Sequence, residues 1–347
     1  MPAVKPYAPG RQRTLGCGTR LTWKARDRHE QDRHTCSTAH TQRCARLHSQ
    51  HRARAGLHTT APAALRSCTF LEPCAAGVTH ARMTLRAAPL VIAVCIQKGG
   101  VGKTATSVNL AAALAEQGLR VLLLDLDPQG QASDHLGVRD NGPTTPMLQV
   151  LQGVRSVVDA AESTPFGVDI IGGGQSLAAA EPMLQAEAGG EQILRERLEE
   201  VPAGRWDVVL LDCPPSLGTL NLSALTAATG VLIPLPLGAA ELDGLGLLSQ
   251  TMERVRRRTN PRLQLLGVIP NKMRAKTVLG RDVLAEVERY FPGALFQGKI
   301  RQDARIGEAY SAKKPVTHFA PKSNGAKDYR ALASELLVRT NSQRGAA

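Results

Sequence analysis

Three short stretches of this 347-residue chain carry residue types suited to phosphate and metal chemistry. The first is Lys98-Gly99-Gly100-Val101-Gly102-Lys103-Thr104, set directly after the apolar run 90–96 and directly before a helix-like segment. Glycines lack a Cβ, so several backbone N–H groups can turn inward and approach phosphate oxygens at the positive end of the following helix. In such a loop Lys103 reaches the β/γ-phosphates and the Thr104 hydroxyl ligates Mg²⁺. The stretch fits G-x-x-x-x-G-K-[ST] only when counted from Gln97, where the first glycine is missing, and it carries a second lysine, Lys98, at its entrance. A ligand-free glycine turn needs neither the Lys-Thr pair nor the strand-loop-helix order.

The second stretch is Asp125-Leu126-Asp127-Pro128-Gln129-Gly130, at the end of a short apolar strand over 121–124. Paired carboxylates at a strand's carboxyl end lie where ligands bind in open α/β sheets, and strand alternation sets Asp125 and Asp127 on one side. The third stretch is an apolar strand ending in Asp212-Cys213-Pro214-Pro215. A strand-terminal aspartate beside a phosphate loop holds Mg²⁺ directly or through a water. The two prolines stop the strand. Cys213 has no neighbouring His to activate it and reads as a small packed residue.

The elements that must position these residues form an α/β pattern. Strand, helix and strand follow within the first βαβ unit, whose crossover is expected to be right-handed. The helix carries Val108, Ala111, Ala112 and Ala115 on one face and stops near Gly118. Further strands read at 168–171, 208–212, 230–235 and 265–270, the continuous apolar type of a parallel sheet covered on both faces. Helices are expected near 176–188, 191–200 and 241–258. Gly172-Gly173-Gly174 reads as a flexible turn in preference to a second anion site.

The helix over 241–258 ends in Arg254-Val255-Arg256-Arg257-Arg258. Complementing a helix C-terminal dipole takes one or two charges. The surplus, with Arg274, Lys276 and Arg281 just after, points to a phosphate-backbone surface. Aromatic residues make up only 3% of the chain, so duplex backbone contact is expected over base stacking.

The formal charge of +13 is unevenly spread. Residues 1–82 hold 14 of the 43 Lys and Arg against four acidic residues, seven of the nine His and five of the seven Cys, which leaves 83–347 only slightly basic. That segment has no sustained periodicity and too little apolar surface to offset its chain entropy. It is expected to be a disordered basic extension, or sequence upstream of a true start at Met83. Its cysteines, Cys17, Cys36, Cys44, Cys68 and Cys74, form no CxxC pair, which argues against a zinc module. The chain shows no membrane-length apolar run, no apolar signal core and no disulfide framework, a pattern that fits a reducing cytoplasm.

Taken together, the loop, the Asp125 to Gly130 stretch and Asp212-Cys213-Pro214-Pro215-Ser216-Leu217-Gly218 resemble the ParA group of partition ATPases, within the deviant P-loop family that also includes MinD-type proteins. Weaker support comes from 300–309, Lys314-Pro315-Val316 and Asp328-Tyr329. The resemblance covers about 91–337, within an ATPase domain over 83–347, and implies a three-layer P-loop NTPase fold with a mostly parallel twisted sheet flanked by helices. It implies ATP and Mg²⁺ as cofactors and a homodimer closed over two nucleotides, Lys98 reaching across to the partner's. Asp127 would position the attacking water, Asp125 would support the metal shell and Asp212 would hold the metal with Thr104. Asn271 falls at a family asparagine that contacts adenine. Further implications are nonspecific DNA binding through Arg254, Arg256, Arg257, Arg258, Arg274 and Lys276, stimulation by a ParB-type partner, and a nucleoid-associated location.

This chain departs from the family pattern at Ile96, often asparagine, and at Ala105, which replaces a frequent threonine touching the α-phosphate. Gly238 and Tyr310 depart as well. Among alternatives, an orphan ParA-like ATPase positioning another cargo on the nucleoid shares every motif. A MinD-like membrane-cycling ATPase needs a bulky amphipathic C-terminal helix, which 336–347 does not offer. An iron–sulfur reductase of related fold needs cysteines bridging two subunits, and Cys95 lies inside a strand.

Overall fold

A computed structural model describes residues 88–138, 142–237, 242–272 and 278–345. Chain contacts divide the molecule into Met1–Val78 and Thr79–Ala347, and every described residue belongs to the second unit. Residues 1–82, Gly238, Arg274 and Lys276 lie outside the described residues.

Seven strands form one sheet: β1 Leu90–Val94, β2 Val121–Asp125, β3 Glu162–Ser163, β4 Val168–Ile171, β5 Val208–Asp212, β6 Gly230–Pro236 and β7 Gln264–Asn271. Their spatial order is β3-β4-β2-β5-β1-β6-β7, parallel throughout except for the short edge strand β3, which pairs antiparallel with β4. The expected α/β class and mostly parallel sheet are therefore present. β1 leaves the ladder at Val94, two residues before the apolar run ends, as Cys95 and Ile96 lead into the loop. β7 extends one residue further than its apolar run, so Asn271 is a ladder residue opposite Pro236.

Side-chain alternation along buried strands divides the interior into two cores. Leu90, Ile92, Val94, Leu123 and Leu210 face one side, under helices α1 Lys103–Ala115 and α12 Asn324–Gly345. Val91, Ala93, Cys95, Leu122 and Leu211 face the other. Along that second face run α3 Pro146–Leu151, α4 Val157–Ala160, α5 Ala180–Ala186, α6 Ile193–Glu199, α7 Thr219–Ala227, α8 Leu242–Arg258 and α9 Val278–Tyr290. The short helices α2 Gln131–His135, α10 Ala304–Ser311 and α11 Val316–Phe319 complete the α1 side.

The stretch 176–188 folds as a 3-10 turn, Gln175–Ala179, running into α5, and 191–200 as a second 3-10 turn, Gly190–Gln192, running into α6. Residues 142–163 contain α3, α4 and β3, for which hydrophobic periodicity gives no signal because each is too short for one period to repeat. Their caps are legible: Thr145 and Ser156 accept bonds from the backbone N–H groups of Leu148 and Asp159.

Candidate functional site

The phosphate loop joins β1 to α1 at the centre of the sheet. Gly102 takes the N-cap position of α1 at φ 95°, in the left-handed region, and a Cβ there would lie 2.6 Å from the Asn271 Nδ2. Only glycine meets both demands. The first turn of α1 contains no acidic residue and no side-chain cap, so its amides are not blocked by a carboxylate of their own. Lys103 is buried and folds back, Nζ donating to the Lys98 carbonyl at 2.9 Å. Burial lowers the Lys103 pKa, with Asp212 as the main opposing charge. Lys98 itself is half-buried at the loop entrance.

Strand parity brings the carboxylates to the loop. Leu123 and Leu210 face α1, so Asp125 and Asp212, two residues further on, face it too, and the two are register partners between β2 and β5. Asp212 is fully buried; its Oδ1 accepts from the Ser107 hydroxyl at 2.8 Å, one turn beyond Lys103, while its Oδ2 has no hydrogen-bond partner. Burial, and then the Asp125 charge, push the Asp212 carboxyl up to about 7, against the Ser107 and Thr104 hydroxyls. A buried carboxylate oxygen without a donor, next to the loop threonine, fits a divalent cation. Among the described residues no cluster of three His, Cys, Asp or Glu makes a self-sufficient metal site. Mg²⁺ takes one or two carboxylates and fills its shell with phosphate and water oxygens.

Asp125 is held differently from Asp212. Its Oδ2 accepts from both the Ser133 N–H at 2.9 Å and the Ser133 hydroxyl at 2.6 Å, and its Oδ1 accepts from the Asp127 N–H at 3.2 Å. Burial still pushes its carboxyl up to about 6. Asp127 lies beyond the strand, with Oδ1 accepting from the Gln129 N–H at 2.9 Å. The glycine run after β4 has a packing role the sequence does not reveal. A Cβ on Gly173 would sit 2.4 Å from the Asp125 carbonyl oxygen, and the Gly173 N–H donates to the Ser133 hydroxyl at 3.0 Å. The reading of 172–174 as a flexible turn is replaced by a close-packed wall behind Asp125.

A pocket beside the loop is lined by Gly102, Ala105, Asn271, Ile300, Asp303 and Tyr329. The Asn271 amide is buried and donates to the Val101 carbonyl at 2.8 Å. One pocket wall is pinned to α12, where Arg301 makes paired bonds to Asp328 (Nε to Oδ2 3.0 Å, Nη2 to Oδ1 2.6 Å). Asp303 accepts from the Gly325 N–H at 2.8 Å. These contacts give a physical role to the weaker sequence matches at 300–309 and 328–329. Lys314-Pro315-Val316 is explained likewise, since the Val316 N–H donates to the buried Asn109 of α1 at 2.6 Å.

The arginines of α8 separate into two kinds. Arg254, Arg257 and Arg258 are exposed and share a shallow groove with Glu253. Arg256 is half-buried, donating to the Leu263 carbonyl at 2.8 Å and to Glu253 at 2.6 Å, and so ties α8 to the turn that leads into β7. Cys95 and Cys213 are buried free thiols. No described helix is long and apolar enough to cross a membrane.

A family model described as an AAA domain matches residues 90–265. The chromosome partitioning protein ParA of Caulobacter vibrioides is 40% identical over 259 residues, covering 74% of this chain and 97% of that protein. The chromosome-partitioning ATPase Soj of Thermus thermophilus is 42% identical over 257 residues, covering 74% and 98%. Among solved structures, cobyrinic acid a,c-diamide synthase from Mycobacterium smegmatis, with bound ATP analogue and magnesium, superposes with a TM-score of 0.65 at 38% identity, covering 74% of this chain and 97% of that one. At these identities, over about three quarters of its length and nearly the whole of each relative, the chain belongs to the ParA/Soj family of P-loop ATPases.

Proposed function

We propose that this protein hydrolyses ATP with Mg²⁺ as a two-subunit switch that binds duplex DNA without sequence preference and is reset by a ParB-type partner. The observation that carries this reading is the unpartnered, fully buried Asp212 Oδ2 beside Thr104, in a loop whose entrance residue is Lys98. When bound, Mg²⁺ would neutralise charge developing on the phosphates. Thr104 and Asp212 hold it, with Asp125 fixing the shape of the site from behind. Lys103 binds the phosphates from within the loop, and Gly99 to Ala105 supply the cradle. Asp127 orients the attacking water and accepts its proton. Lys98 meets the charge developing on the partner subunit's phosphoryl group, as an arginine finger does. Asn271 and the pocket beside it take the nucleoside.

The exposed Arg254, Arg257 and Arg258 form the DNA surface, in the cytoplasm and on the nucleoid. ATPase rate with and without nonspecific duplex DNA and a ParB-type protein tests the whole reading. A rate unmoved by both would leave a P-loop ATPase without the partition cycle. Replacing Arg254, Arg257 and Arg258 by Glu is expected to weaken DNA binding about a hundredfold and to lower the salt slope by roughly three, with ATP-dependent dimerisation kept. DNA affinity unchanged in that variant would move the surface elsewhere.

The Asp212 carboxyl gives a pH signature. Its pKa of about 7 means that cation binding below that pH must expel a proton. Mg²⁺-dependent ADP affinity should therefore rise about tenfold per pH unit up to about pH 7 and level off above it. Titration calorimetry in two buffers of different ionisation heat measures the released proton, and Asp212→Asn should release none. In the nucleotide-free protein the sign reverses. The native state binds more protons than the unfolded chain between about pH 4 and 7, so stability falls as pH rises through that window.

A further inference from the structure

Lys272 follows Asn271 at the end of β7 and also lines the pocket beside the loop, with no role yet assigned to its ammonium. Its backbone sits at φ 50°, one of two non-glycine residues with positive φ among those described. A long side chain rarely adopts that conformation unless the surroundings enforce it. Here the Lys272 N–H donates to the Asn271 Oδ1 at 2.8 Å, which fixes the turn. The result is reach: Lys272 Nζ donates to the Gly100 carbonyl, while Asn271 Nδ2 donates to the next carbonyl along, that of Val101. The Lys272 Cε lies 3.9 Å from where a Gly102 Cβ would stand.

A loop that turns its amides inward to a phosphate turns carbonyls outward, and those oxygens need donors. Two consecutive side chains, the last of β7 and the one after it, supply donors to two consecutive loop carbonyls. We propose that Lys272 is a positioning residue for the phosphate loop: its ammonium holds the Gly100 peptide so that the neighbouring amides face the β-phosphate before any nucleotide arrives. Fixing a binding loop in its bound shape in advance strengthens affinity by lowering the ordering cost. This assignment rests on the nucleotide reading of the loop for its effect on affinity, and on geometry alone for its effect on the loop.

The test compares wild type with Lys272→Met, which keeps the stem and loses the donor, and Lys272→Asn, which tolerates the left-handed backbone and is too short to reach Gly100. In nucleotide-free protein, amide hydrogen exchange across 97–104 should accelerate about tenfold in both variants, with the β5 and β2 amides unchanged. The Kd for ADP and the Kd for ATP should rise by the same factor, about fivefold, because both ligands carry the β-phosphate. Unchanged exchange across 97–104 in both variants overturns the proposal. So does a loss of ATP affinity with ADP affinity intact, which would mean direct contact with the γ-phosphate. If wild type binds no ADP, the nucleotide reading fails, and the exchange measurement still decides the role of Lys272.

Discussion

Lys103→Met should lose nucleotide binding by about a hundredfold or more, while the nucleotide-free protein stays at least as stable as wild type. The two halves of this result have one cause. Lys103 is 7% exposed and its ammonium donates to the Lys98 carbonyl, so without nucleotide the fold carries a desolvated cation whose pKa is lowered by burial. Methionine keeps the volume and removes the charge that the fold tolerates at a cost. A bound polyphosphate meets that cation with opposite charge at short range in a site of low dielectric, which makes the contact a strong one. In a thermal melt, wild type at an ADP concentration of about 100 times its Kd should gain roughly 2.7 kcal/mol, and Lys103→Met should gain almost nothing. A variant that melts lower and still shifts with ADP would show Lys103 to be a structural residue.

Gly173→Ala should destabilise the protein by about 3 kcal/mol, lowering its Tm by roughly 8 °C, and should weaken Mg²⁺-dependent nucleotide binding as well. The added methyl would lie 2.4 Å from the Asp125 carbonyl oxygen and 3.0 Å from its carboxyl carbon. Neither side can yield easily. β2 is paired on both sides, with β4 and β5, and the Asp125 carboxylate is locked by Ser133. Displacing β2's end also moves Asp125 relative to its register partner Asp212, which couples the stability defect to the proposed metal site. Gly246→Ala in α8 is the control, since a Cβ there meets nothing within 4 Å. A Gly173→Ala protein with wild-type melting would mean that the wall gives way without moving β2.

Much of this site is legible in the sequence because phosphate chemistry imposes short-range order on the chain. Strand, glycines, Lys-Thr and helix must be contiguous, so Lys98 to Thr104 announce themselves, and strand-end aspartates follow from parity alone. What the sequence hides is the set of partners that converge from far along the chain. Ser133, Gly173 and Ser107 fix the two carboxylates, yet each is an ordinary residue for its local element. Gly172-Gly173-Gly174 reads as a flexible turn because the close approach that requires glycine comes from a strand over forty residues earlier. Arg256 looks like its neighbours in the arginine cluster, and only the Leu263 carbonyl sets it apart. Short elements such as α3 and α4 show through their caps and not through periodicity.

The clamp on the phosphate loop sets a schedule for the nascent chain. Val101 and its partner Asn271 are 170 residues apart in sequence, and Gly100 and Lys272 are 172 apart. Both strands that flank β1, β5 and β6, are also made long after it. At a synthesis rate of about 5 to 20 residues per second, the loop emerges roughly 10 to 30 s before the residues that hold its shape. Through that interval the chain has the loop's sequence without its clamp, and a ribosome-bound fragment that stops short of 271 should not retain nucleotide. Under the proposed function, nucleotide capture is thus expected only once β7, the last strand of the sheet to be made, is in place.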